Sequence, residues 1–435
     1  MREHADPRIE IQRIFLSVLL MTEIASWMWR AAISSYRNQV FSFHRGLSYI
    51  VDDPTYVPHL SVFNQQPLFG AHYFGDLQGM FLHGAQRNPY GVTSVTQIPP
   101  FGNIWASALY VFGRSATAPL YIAISLILPA LLLVLWFKKS NVSAVIFGYC
   151  ALVLANVSTY NTLDRGSMLL IVVPFVGFGM QRTLVTEKYD IYAVIAFAIA
   201  ISNKPYIACI FIFFLCESKW LFTIKVAAVS IAFNIISMIG FTGNALTNFE
   251  RMKTSMSWFN SPDSIREFSM GQAALFRVLS DLVVQKYGSQ KAIYILTNTP
   301  HLVMYCSVLW LILVASICIN KEIPLWIRFT AALSTMQLVV AASPPYTRTW
   351  TMLAGMIAFQ SFSKNNQLNS RKVDYREWIT GGAIVLAIIV SAVMIPSYNY
   401  SPRVWLVTFV LVRLVYGIPM RERSGIDRTN VGIIH

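Results

Sequence analysis

A carboxylate, a few cations and a set of aromatic rings stand apart from an otherwise apolar chain. Asp76 lies in FGDLQGMFLHGAQRNPY, residues 74–90, and IPPF follows at 98–101. A carboxylate among small and aromatic residues can act as a general base if it reaches the proton of an acceptor hydroxyl. It can equally cap the surface helix that Gly75-Asp76 would open. Asp52 and Asp53 are rivals in the same segment, although Asp53-Pro54 reads as a turn. Cations recur further on: Arg165 in Asp164-Arg165-Gly166, Lys204 in Lys204-Pro205, Arg348 in SPPYTRTW (343–350), and Arg403 before the last apolar run. Ionisable groups beside a membrane core are costly and mark functional sites. Snorkelling to the interface is the bland alternative and the better reading for Arg403. Cations gathered on one face would suit an anionic headgroup such as a phosphate.

The elements that must position these residues are helices in lipid. Of 435 residues, 55% are hydrophobic and only 12% are charged, against roughly 25% in a soluble domain. Apolar runs at 14–35, 117–137, 142–158, 166–181, 189–202, 205–217, 221–242, 301–319, 325–342, 347–362, 378–396 and 403–418 read as membrane helices. A soluble enzyme, a disordered chain and a disulfide-stapled secreted scaffold are excluded. The run after Arg13 has no small-residue cleavage site and reads as the first membrane helix. Cys150, Cys209, Cys216, Cys306 and Cys318 sit in or beside apolar runs, with no partner at metal-ligand or disulfide spacing.

The net charge of +14 is a topology signal and not a nucleic-acid footprint. With the N-terminus in the cytoplasm, the cytoplasmic connections carry Lys138 and Lys139, Arg182 and Lys188, Lys219, Lys321, and Lys364, Arg371, Lys372 and Arg376. The tail adds Arg421, Arg423 and Arg428. The short external connections carry only Arg165, Lys204, Arg348 and Arg403. This satisfies the positive-inside rule. It gives an all-α polytopic protein of about twelve crossings (eleven to thirteen), one membrane-embedded domain over 1–435, and both termini cytoplasmic. Residues 98–113 must then form a partial or re-entrant helix, because a full crossing would invert every later loop. Two long external segments, 36–100 and 243–300, are expected to fold as surface helices and to carry the site.

The order of these features resembles the GT-C class of polyprenol-phosphate-dependent glycosyltransferases, and within it the GT87-like mannosyl- and arabinosyltransferases. The residues that carry the resemblance are Asp76, Asn88-Pro89-Tyr90, Ile98-Pro99-Pro100-Phe101, Leu163-Asp164-Arg165-Gly166-Ser167, Lys204-Pro205, Met270-Gly271-Gln272-Ala273-Ala274 and Ser343–Trp350. The last element lacks the family's histidines, and Gly-Ser replaces the usual Gly-Gln. His301 stands where it could substitute, or serves as an interfacial histidine.

The resemblance implies a GT-C fold in the plasma or inner membrane, with the site on the extracytoplasmic side. A sugar, mannose or another hexose or pentose, would pass with inversion from a polyprenyl-phosphate donor to a glycolipid or glycan hydroxyl. Asp76 would be the base; Lys204, Arg348 and Arg165 would hold the phosphate. Tyr73, Asn88, Tyr90, Gln272, Trp350 and His301 would contact substrate. No general acid is needed, because the lipid phosphate is already a stable leaving group, and the scheme requires no metal or other cofactor. Two alternatives remain. An O-antigen-type polymerase or ligase would depend on an external arginine. A transporter or flippase would show midplane charge pairs and an internal repeat, and neither is visible in the sequence.

Overall fold

The computed structural model describes residues 14, 16–25, 28, 89–90, 98–111, 114–136, 142–156, 159, 162–163, 166–259, 300–338, 350–365, 375–392 and 401–417. Among these the chain is almost wholly helical and holds no strand. In chain order the helices are α1 (Leu16–Ala25), α2 (Pro100–Tyr110), α3 (Arg114–Trp136), α4 (Val142–Tyr149), α5 (Leu169–Met180), α6 (Ile191–Asn203), α7 (Phe211–Cys216), α8 (Trp220–Gly240) and α9 (Ala245–Phe259). Then come α10 (Pro300–Ile319), α11 (Leu325–Leu338), α12 (Trp350–Asn365), α13 (Tyr375–Ala392) and α14 (Ser401–Val415).

Each apolar run from residue 117 onward forms a helix within a few residues of the expected limits. Among the described residues two helical stretches, Pro119–Trp136 and Trp220–Gly240, are long and apolar enough to cross a membrane. The apolar runs suggested about twelve. Shorter apolar helices such as Leu169–Val185 and Ile191–Asn203 arise because the runs are punctuated. α4 and α5 end in wide π turns at Cys150–Leu154 and Gln181–Val185, and Pro205 ends α6. The described part of the 98–113 segment, 98–111, holds the eleven-residue α2, about 16 Å long at the helical rise. That is too short to cross a bilayer and matches the expected partial helix. The segment 243–300 opens with α9, and 260–299 lies outside the described residues.

The longer helices present apolar side chains outward. Ile231, Ile235, Ile236 and Ile239 of α8, Ile127 and Leu131 of α3, Leu309 and Ile312 of α10, and Val407 of α14 are all more than half exposed. Inside, Phe197, Phe213, Phe214, Phe222 and Phe329 meet edge to face, the geometry the aromatic quadrupole favours.

Phe197 of α6 touches Phe214 of α7, so the chain doubles back between them, and Lys204-Pro205 is the tip of that hairpin. The far end of the hairpin is charged. Glu217 binds Arg328 and, at 2.6 Å, Lys321. Arg182 pairs with Asp190, Arg376 with Glu322 at 3.3 Å, and Lys219 covers the Tyr189 ring at 4.7 Å. Arg328 is buried and also donates to the carbonyls of Ile323 and Cys318.

Removing one partner of a buried pair leaves the other charge uncompensated. Glu217→Gln is therefore expected to destabilise the purified protein by about 3 kcal/mol in thermal or denaturant unfolding. Lys321, more than half exposed, makes an ordinary surface pair, and Lys321→Ala should cost less than about 1 kcal/mol.

Candidate functional site

Proline disfavours the α region for the residue before it, a preference overridden at Pro119, Pro129 and Pro174 inside helices but followed at Pro205. Lys204 obeys: its φ is −138° and ψ 90°, and α6 stops at Asn203. Pro205 then starts a 3₁₀ turn, Pro205–Ile210, that carries the chain back. The turn leaves Lys204 half-buried at the hairpin tip and places Tyr206 edge-on to Trp350, with ring centroids 6.4 Å apart. Trp350 begins α12 and is fully buried.

Tyr90 and the IPPF segment come to the same tip. Tyr90 is buried against Phe241 at 6.1 Å. Its hydroxyl donates to the Ile98 carbonyl at 2.7 Å. The Asn103 amide donates to the Tyr90 hydroxyl and to the Ile98 carbonyl, at 3.2 and 3.0 Å. Arg251 of α9 donates to the Tyr90 carbonyl at 3.2 Å. One turn of chain is thus fixed from both sides. Burial pushes the Tyr90 phenol well above its ordinary 10.0, and the Asn103 hydrogen bond opposes this only in part.

α2 starts with Pro100 and has no side-chain cap of its own. The missing acceptor comes from across the bundle: Asn234 Oδ1 of α8 receives the Phe101 N–H at 3.2 Å. Phe101 stacks on Phe233, centroids 4.9 Å apart. Gly102 lies against α6 so closely that a Cβ there would sit 3.3 Å from Asn203 Oδ1 and 2.6 Å from the Ile98 side chain. That contact joins IPPF directly to the Lys204 step.

The 163–167 turn is held by Tyr121, whose hydroxyl donates to the Ser167 carbonyl at 2.6 Å. Gly166 there has a φ of 69°, which glycine adopts without steric cost. Leu163 and Ser167 are buried.

Of the residues singled out by sequence, the fold gathers Tyr90, Lys204 and Trp350 at this end. His301 is in the first turn of α10. Asp76, Tyr73, Asn88, Arg165, Gln272 and Arg348 lie outside the described residues, as do Asp52 and Asp53. Among the described residues no cluster of three His, Cys, Asp or Glu side chains could hold a metal. Sequence reading passed over Asn103, Asn203 and Asn234. The signal was present, because each is an amide inside an apolar run, in FGN, SNK and AFN. Arg251 carried none, being one more charge in a loop. No family model, curated protein or solved structure matches the chain.

Tyr90→Phe removes a buried hydrogen bond and an acceptor for Asn103, and should cost about 1–2 kcal/mol of unfolding free energy. The pH dependence has a definite sign. Folded Tyr90 holds its proton above 10.0, whereas the unfolded residue releases it near that value. Its contribution is complete below about pH 10 and declines as pH rises past it. The thermal midpoint of the wild type should therefore fall more steeply above pH 10 than that of Tyr90→Phe.

Proposed function

We propose that the chain is a polytopic membrane glycosyltransferase that uses a polyprenyl-phosphate-linked sugar and acts on the extracytoplasmic side. The observation that carries this reading is the convergence of Pro89-Tyr90, Ile98–Phe101 and Lys204-Pro205, through Tyr90, Asn103, Gly102 and Asn203. These are three of the elements on which the resemblance to the GT-C class rests, and more than a hundred residues separate the first from the last.

Charge placement supports the same reading. Lys204 stands at one end of the hairpin, whereas Arg182, Lys219 and Lys321 stand at the other. That division is the one the positive-inside rule assigns to external and cytoplasmic ends. The outward apolar faces of α3, α8, α10 and α14 suit lipid, where a water-soluble protein of this size would not expose such patches. About twelve crossings with both termini inside are part of this proposal. The ion pairs described above lie at one end, whereas a transporter holds its coupling charges near the midplane.

In the proposed reaction an acceptor hydroxyl attacks the anomeric carbon. The C–O bond to the lipid phosphate breaks, and its electron pair stays on the phosphate oxygen. Asp76 takes the hydroxyl proton. Lys204 and Arg348, with Arg165, stabilise the charge gathering on the phosphate. Aligning the hydroxyl, the anomeric carbon and the phosphate supplies much of the remaining rate gain. Tyr and Trp faces offer apolar surfaces to sugar C–H groups.

The test is transfer in proteoliposomes with radiolabelled polyprenyl-phosphate sugars. Asp76→Asn is expected to lower turnover by about 10²–10⁴-fold, the usual worth of a general base, with donor binding intact. Near wild-type turnover in that variant would remove Asp76 as the base. Loss confined to Arg348→Ala would favour a ligase.

A further inference from the structure

The polar groups between α2, α6 and α8 divide into two sets. Most are satisfied. Ser202 donates to the Ser230 carbonyl at 3.1 Å, Ser230 to Val226 at 2.8 Å, and Asn234 to Ser230 at 3.1 Å. The amide nitrogens of Asn103 and Asn203 are also used, the latter donating to the Ile199 carbonyl at 2.8 Å. Their oxygens are not. Asn103 Oδ1 and Asn203 Oδ1 are buried acceptors with no donor among the described residues, on residues only 1% and 3% exposed. Both belong to the same turn: Asn103 is part of it, and Asn203 Oδ1 rests against Gly102, one residue earlier.

A third unmatched group lies beyond Tyr206. Trp350 Nε1 is a buried donor with no acceptor. One corner therefore lacks two donors, and its neighbour lacks one acceptor. Native proteins rarely leave such atoms alone, and an unmade bond at a buried site calls for a water, an ion or a ligand. A cation would fit two amide oxygens, but Lys204 adjoins Asn203 and repels it. A bare ionised phosphate has acceptors and no donor to spare for the amides. A molecule that joins hydroxyls to an anionic phosphate answers both needs. Ile98, Phe101 and Lys204 around the corner are only half-buried, so it borders the surface.

We infer that Asn103 and Asn203 are the hydroxyl-reading residues of a sugar subsite, with Lys204 and Trp350 on its phosphate flank. The inference rests on the function proposed above and specifies which side chains recognise the donor sugar. A hydroxyl donates to each amide oxygen, and the side-chain nitrogens stay fixed on backbone carbonyls. That fixation sets the direction from which each oxygen accepts. A site built to bond a hydroxyl rejects the analogue that lacks it, because its own group is then left unpaired.

The experiment is equilibrium binding to the full chain in nanodiscs. The probes are farnesyl phosphate and farnesyl phosphate bearing mannose, glucose or arabinose. Wild type should bind at least one sugar-bearing lipid about tenfold or more tightly than bare farnesyl phosphate. Asn203→Leu and Asn103→Leu should abolish that preference and leave bare-lipid affinity within about twofold, which also certifies the fold. Asn203→Asp keeps an acceptor oxygen and should retain most of the preference, although it loses the bond to Ile199. Three results would overturn the inference. The leucine variants could keep the sugar preference, bare-lipid binding could fall in parallel with it, or wild type could bind both lipids alike. The last leaves the lipid-phosphate reading standing, with a buried water as the amides' partner. Failure of wild type to bind either lipid overturns the inference and the proposed function together.

Discussion

Pro205 denies Lys204 a helical conformation, and the architecture of one end of the molecule follows from that local clash. Without it α6 would continue and carry Lys204 and Tyr206 along the helix. With it the chain turns, α7 packs back on α6 through Phe197 and Phe214, and the last residues of α6 are left at a tip. Asn203 then meets Gly102, and Tyr206 meets Trp350. Tyr90 adds two further long-range contacts at this end, with Phe241 and Arg251.

The two ends of this hairpin handle polarity differently. At the charged end, Glu217, Arg328 and Lys321 neutralise one another, and Arg328 uses further donors on backbone carbonyls. That arrangement holds helices in place, although Arg182 Nε at the same end is unmatched among the described residues. At the tip, amide and indole atoms remain unmatched beside a lysine. Burial makes unmatched groups expensive; the tip differs in that its unmatched atoms are neutral amide and indole groups, whereas the far end is held by ion pairs. The same division orders the basic residues along the chain, which is why a single net charge of +14 says little until it is resolved by position.

Much of this was legible in the sequence. The apolar runs give the helices from residue 117 onward, because burying backbone in an apolar setting leaves the helix as the cheapest way to satisfy it. The short α2 followed from charge bookkeeping over the loops, and the break at Lys204 from the residue pair itself. Among the described residues two helices reach crossing length, because π turns divide runs that hydropathy reads as continuous. The amides were missed for a different reason. Asn103 and Asn234 gain meaning only when α2 and α8 are side by side, and no local spacing encodes that. Trp350 was singled out from its motif, but its burial against Tyr206 depends on α12 meeting the 3₁₀ turn. Asp76, Arg165 and Arg348, on which the chemistry leans, lie outside the described residues.

The central claim is that this chain moves a sugar from a lipid phosphate. The most direct measurement is mass spectrometry of lipid-linked glycans from cells with and without an intact gene for it. The proposed activity predicts that deletion leaves a glycan or glycolipid shorter by one kind of sugar residue. A plasmid-borne wild-type copy should restore the full product, and a copy carrying Asp76→Asn should not. An unchanged glycan profile in the deletion strain would contradict the claim.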